Sequence, residues 1–127
     1  MRELGSVLLV GTGGFIGAVG RYLLSGWVHR LVPMATFPLG TLCVNLSGCF
    51  LIGLLGGLSE SRQLFSPELR IFIFIGILGG FTTFSSFAHE TLALARDAEF
   101  ARALVNIGGQ LIGGLVAAWV GYTLVRG

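Results

Sequence analysis

Four apolar stretches, at roughly residues 4–28, 39–58, 69–94 and 101–125, divide this chain of 127 residues. Each reaches or exceeds the about 20 residues a helix needs to cross a bilayer. In hydrocarbon every backbone N–H and C=O must bond within the protein, and a lone apolar segment does that only as a helix. Composition agrees: 54% of residues are hydrophobic and 11% charged, with a mean hydropathy of +0.87. A water-soluble domain carries about 25% charged residues. The sequence therefore predicts an all-α membrane protein, a single transmembrane domain over residues 1–127 with four transmembrane helices. The punctuation fits. Pro33 and Pro38 fall in or beside the first loop. Ser66-Pro67-Glu68 opens the third helix with a cap, a proline at the first position and an acid at the positive dipole end. Arg96-Asp97-Ala98-Glu99-Phe100 makes a short last loop.

Every basic residue is Arg, and the net charge is only +2, too small and dispersed for a nucleic-acid patch. Four spans put both termini on one side. That side carries Arg2, Arg62, Arg70 and Arg126; the other carries Arg30, Arg96 and Arg102, with Arg21 near it. The positive-inside rule finds no bias to act on. Two outcomes stay open: dual insertion, in which two copies can meet antiparallel in the lipid, or a single topology set by a weak bias. Four short helices can hardly enclose a path alone. Small residues recur every four positions, at Gly13 and Gly17, Gly53 and Gly57, and Gly109, Gly113, Ala117 and Gly121. Such stripes let helices approach closely in lipid, and their abundance favours an oligomer. Cys43 and Cys49 point to different faces of one helix and do not pair. The N-terminus lacks a small-residue cleavage site before polar sequence, so no removed signal peptide is expected.

The run Gly11-Thr12-Gly13-Gly14-Phe15-Ile16 imitates a dinucleotide loop, but Ile16 stands where the third glycine belongs. No acidic residue follows about 20 positions later, and no βαβ alternation develops. Two histidines, no metal-ligand spacing and no nucleophile–base pair leave no support for an enzyme.

Polar side chains at membrane depth are costly and turn toward protein or water. Asn45, Arg21, Glu90, Asn106 and Gln110 need partners. Asn106 and Gln110, four apart, share a face of the last helix. Each alone reads as interhelical glue; together they suggest a polar track. Arg21 can snorkel to the interface or pair with Glu90. In the third span, Gly79 and Gly80 interrupt the apolar run, so that helix is expected to be broken between Gly79 and Thr83. Freed carbonyls at such a break suit a desolvated cation. Beyond it, Phe84 and Phe87 share a face. They read as a packing stripe or, by their electropositive ring edges, as an anion contact. Thr83, Ser85, Ser86 and Asn45 add hydrogen-bond donors, a set that suits a small, strongly hydrated anion.

The motifs Gly13-Gly14-Phe15-Ile16-Gly17-Ala18-Val19-Gly20-Arg21-Tyr22, Gly40-Thr41-Leu42-Cys43-Val44-Asn45-Leu46-Ser47-Gly48 and Gly79-Gly80-Phe81-Thr82-Thr83-Phe84-Ser85-Ser86-Phe87-Ala88-His89-Glu90 resemble, in this order, the Fluc (CrcB-type) fluoride channels. The resemblance covers nearly the whole chain. It implies an antiparallel, dual-topology homodimer with two pores in the plasma (inner) membrane of a prokaryote, exporting fluoride passively and relieving its toxicity. It implies that Asn45, Phe84 and Phe87 line the pore, with Ser85 and Ser86 beside the rings. It implies that the carbonyls of Gly79 and Thr82 hold a structural sodium ion at the dimer interface. Arg21 matches the first-helix arginine, and Glu90 the acid after the phenyl pair. The chain departs from the family at Gln110 and Gly114, where small hydroxyl residues are usual; Asn106 stands where relatives vary. Two other readings compete. A proton-coupled multidrug exporter needs a carboxylate deep in the first span, which this chain lacks. A non-transporting assembly subunit leaves the clustered donors unexplained.

Overall fold

The computed structural model describes residues 2–126. The first, second and last spans are single helices: α1 (Arg2–Leu31), α2 (Leu39–Arg62) and α6 (Phe100–Arg126). The third span, Pro67–Arg96, is built in pieces: α3 (Pro67–Arg70), a π-helical run Ile71–Leu78, α4 (Gly79–Phe81) and α5 (Phe84–Arg96). There is no strand among the described residues. Four helices are thus long and apolar enough to cross a membrane. The helices extend a few residues past the expected apolar stretches, because polar ends such as Arg2-Glu3 and Glu60-Ser61-Arg62 keep their backbone hydrogen bonds beyond the hydrocarbon.

Local chemistry sets the boundaries. The Ser66 side chain accepts from the Leu69 amide at 3.2 Å, with Pro67 in the first turn, as its sequence predicts. α2 stops where Gln63 turns left-handed (φ 48°, ψ 42°) and its N–H returns to the Ser59 carbonyl. Ala98 (φ 60°) turns the chain from α5 into α6.

The helices pack in two principal pairs, α1 on the third span and α2 on α6. Glycines make both possible. A Cβ on Gly13 would stand 2.6 Å from the Phe72 carbonyl oxygen and 2.9 Å from Gly76 Cα, and one on Gly17 would strike the Ile77 carbonyl. Across the other pair, Gly53 lies on the Ala118 carbonyl and Gly121 on that of Phe50. The small-residue stripes at Gly13, Gly17, Gly53, Gly57 and Gly121 are therefore filled by the chain's own helices. Their abundance does not argue for an oligomer, as the sequence suggested, because close approach is already satisfied inside one subunit.

The break in the third span lies inside the expected interval, but its agents differ. Gly79 is helical (φ −63°, ψ −39°), and Gly80 continues α4. The chain leaves the helix at Thr82 (φ −84°, ψ 156°) and Thr83 (φ −149°, ψ 110°). Gly80 serves a different need: its missing Cβ admits the backbone of α1, whose Gly14 carbonyl oxygen would lie 2.7 Å from it. Thr83 supplies what a break requires, a hydroxyl that accepts from the Ser86 amide at 3.1 Å and caps the new helix α5.

Candidate functional site

The break exposes backbone that a continuous helix would satisfy, and Asn45 of α2 satisfies it. Asn45 Oδ1 accepts from the Thr83 amide at 2.8 Å, while Nδ2 donates to the Thr83 carbonyl at 3.0 Å. One side chain thus replaces the helix on both faces of a single residue. The Thr83 amide would otherwise bond the Gly79 carbonyl, four residues earlier. Nδ2 also donates to Gln110 Oε1 of α6 at 3.0 Å. Both donors of Asn45 are therefore engaged by protein oxygens.

Two clefts flank this braced break. The first, of about 310 Å³, is lined by Asn45, Gly79, Thr82, Thr83, Phe84, Phe87 and Gln110, with apolar neighbours. Its phenyl rings stand edge to face, centroids 5.3 Å apart with planes at 65°. Phe87 is 7% exposed and Phe84 73%, so one ring is embedded in the subunit and its partner projects from it. The second cleft, of about 610 Å³, is lined by Arg21, His29, Arg30, Thr41, Ser86 and Glu90, among others. Thr83 borders both. Its hydroxyl also meets those of Ser85 at 3.2 Å and Ser86 at 3.1 Å, so these three side chains form one small hydroxyl cluster at the start of α5.

Arg21 and Glu90 share the second cleft but, among the described residues, do not pair. Arg21 Nε donates to the Gly80 carbonyl at 3.2 Å, turning inward onto α4 rather than snorkelling. Glu90 Oε1 accepts from Thr41 at 2.6 Å, and Oε2 is buried without a partner. The terminal carbonyls of α4 and the buried Thr41 hydroxyl compete successfully with a direct ion pair.

Asn106 stands apart from both clefts. It is 0% exposed, and its Nδ2 donates to Thr91 Oγ1 at 2.9 Å. Thr91 in turn donates to the Phe87 carbonyl at 2.7 Å. The track expected along Asn106 and Gln110 therefore divides: Gln110 reaches the aromatic cleft, whereas Asn106 ties α6 to the backbone behind Phe87. Thr41 and Thr91 were not singled out from the sequence. Thr41 lies four residues before Asn45 on the same face of α2, which was the available signal; Thr91 simply follows Glu90.

Four apolar helices enclosing polar, partly aromatic clefts at a broken span make this a multi-pass membrane protein with an internal polar site. Over residues 8–122 it matches the family model described as CrcB-like protein, Camphor Resistance (CrcB), and the chain belongs to that family. It is 48% identical over 120 residues to a protein of Chlorobium chlorochromatii (strain CaD3) named fluoride-specific ion channel FluC, covering 94% of this chain and 92% of the relative. It is 46% identical over 116 residues to fluoride-specific ion channel FluC 1 of Methanosarcina acetivorans, covering 91% and 87%.

Proposed function

We propose that the chain is a fluoride-selective channel that lets fluoride leave the cytoplasm passively, relieving fluoride toxicity. It is not an enzyme. The observation that carries this reading is the cleft at the break. Ring edges at Phe84 and Phe87, the Thr83 hydroxyl and amides at Asn45 and Gln110 meet there without a cationic side chain, and the Thr83 hydroxyl joins them to those of Ser85 and Ser86. The first N–H groups of α5 add positive potential at the same place. Such a lining returns hydrogen bonds to a small anion that has shed water, yet holds it weakly enough for release. Arg21 and Glu90 form the charged vestibule beside it. The test is efflux of fluoride and chloride from liposomes holding the purified protein: fluoride leaves and chloride does not. Equal retention of both anions would refute the reading.

The proposed working unit is an antiparallel homodimer of dual topology in the plasma (inner) membrane of a prokaryote, embedded in lipid. The balanced arginines support it, and so does the projecting Phe84 ring, whose cleft is open on one side. Adding three lysines to one loop should force one orientation and cost activity unless an oppositely biased copy is supplied. Full activity from a uniformly oriented population would refute the pairing.

A structural sodium ion at the dimer interface completes the proposal. The residues fit it: Gly79 and Thr82 line the same cleft, and the Thr83 amide that would occupy the Gly79 carbonyl is held by Asn45. Backbone carbonyls at a break are hard oxygen ligands suited to an alkali cation. The ion would neutralise carbonyl dipoles where two subunits meet.

A further inference from the structure

We infer that Asn106 is a positioning residue for conduction: through Thr91 it fixes the tilt of α5, and with it the ring edge that Phe87 turns to the cleft. The inference rests on the channel reading and deepens it. Asn106 lines neither cleft. With Val44 it is the largest side chain shut off completely among the described residues. A carboxamide in such a place is costly unless its polar atoms are bonded, and only one of them is. Nδ2 donates to Thr91 Oγ1 at 2.9 Å, whereas Oδ1 is buried without a partner. A leucine of similar volume would pack here with no polar atom to satisfy, so stability alone does not explain the residue.

What the single bond reaches does explain it. The Thr91 hydroxyl that accepts from Asn106 donates in turn to the Phe87 carbonyl at 2.7 Å. A hydroxyl engaged both as acceptor and as donor does not swing freely, and the two bonds strengthen each other. One turn further along α6, Gln110 bonds Asn45, which bonds Thr83. Residues 106 and 110 thus act as two rungs from α6. Gln110 holds α5 at its start, and Asn106 holds it one turn on. Thr83 itself is extended (φ −149°, ψ 110°), so with one rung α5 could pivot there; the second rung removes the pivot. The tilt matters because Phe87 is the embedded ring and Phe84 the projecting one, and Phe84 meets Phe87 edge to face. A tilt of α5 would turn both rings and the edges they present.

The experiment compares fluoride efflux from liposomes, at matched protein content, for Asn106→Leu in two backgrounds, wild type and Phe87→Ile. Leu removes the bond to Thr91 and fills the space. Flux should fall by about fivefold in the wild-type background, and by less than about twofold where the Phe87 ring is already gone. A residue that only packed would cost the same factor in both. Thr91→Val breaks the same chain one link later; measured in the same two backgrounds, it decides if Asn106→Leu misfolds. Wild-type flux from the folded variant, or equal losses in the two backgrounds, overturns the assignment while leaving the channel reading intact. Absence of fluoride flux from the wild type itself overturns both.

Discussion

The two clefts beside Thr83 use opposite means to deal with an ion. The aromatic cleft has no formal charge among the residues that shape it: Asn45, Gln110, two phenyl rings and backbone. The other is lined by Arg21, Arg30, His29 and Glu90. Charge acts at a distance and raises local ion concentration. Ring edges and amides act only at contact, but there they discriminate by size and by the number of hydrogen bonds they return. In the proposed pore the charged cleft gathers and the aromatic cleft selects. A cationic side chain set against the rings of the selecting cleft would hold the ion too firmly for flow.

The strongest test of that division is Asn45→Asp. It removes both donors of the brace and sets a carboxylate against the Thr83 carbonyl and Gln110 Oε1. Flux should fall by about a hundredfold or more, measured as fluoride efflux at matched protein content. Phe84→Ile and Phe87→Ile come next, each with a loss of about tenfold, since an aliphatic chain fills the space without a positive edge. Their stabilities should separate. Phe87→Ile should lower unfolding free energy by about 1–3 kcal/mol, because the ring is embedded; Phe84→Ile should leave the monomer's stability almost unchanged. Conduction by all three at the wild-type rate would mean that the rings only pack and that the path lies elsewhere.

On the charged side the effects should be smaller and depend on salt. Arg21→Gln keeps an N–H for the Gly80 carbonyl and removes the charge. It should reduce fluoride flux by about threefold at low ionic strength, with the deficit shrinking as salt screens the vestibule. Glu90→Gln keeps an acceptor for Thr41 and should raise flux by less than about twofold under the same conditions. A salt-independent loss in Arg21→Gln would show that Arg21 acts through the Gly80 carbonyl alone, and the contrast between the clefts would collapse.

The spans, the Ser66 cap and the interval of the break were legible in the sequence, because each depends on hydropathy or local backbone chemistry. The partners were not. That Gly80 serves close packing rather than the break depends on how closely α1 approaches, and nothing near residue 80 records the distance to Gly14. Arg21 turns to a carbonyl freed by a break in another span, and Asn106 meets Thr91 rather than a cleft. These choices are settled between helices far apart in the chain. The glycine stripes misled for the same reason: periodicity shows that a face admits close approach, not whose backbone arrives.

The brace also bears on how the protein is made. Asn45 and Thr83 are 38 residues apart, on different spans. Until α2 lies alongside, the third span has no partner for the Thr83 amide at the break, and lipid offers none. The interruption is therefore stable only once the third span has docked on α2, which belongs to the second of the two stages by which membrane helices insert and then associate. The site is thus created by assembly rather than carried in by any single helix, and a chain caught before docking has spans but no opening.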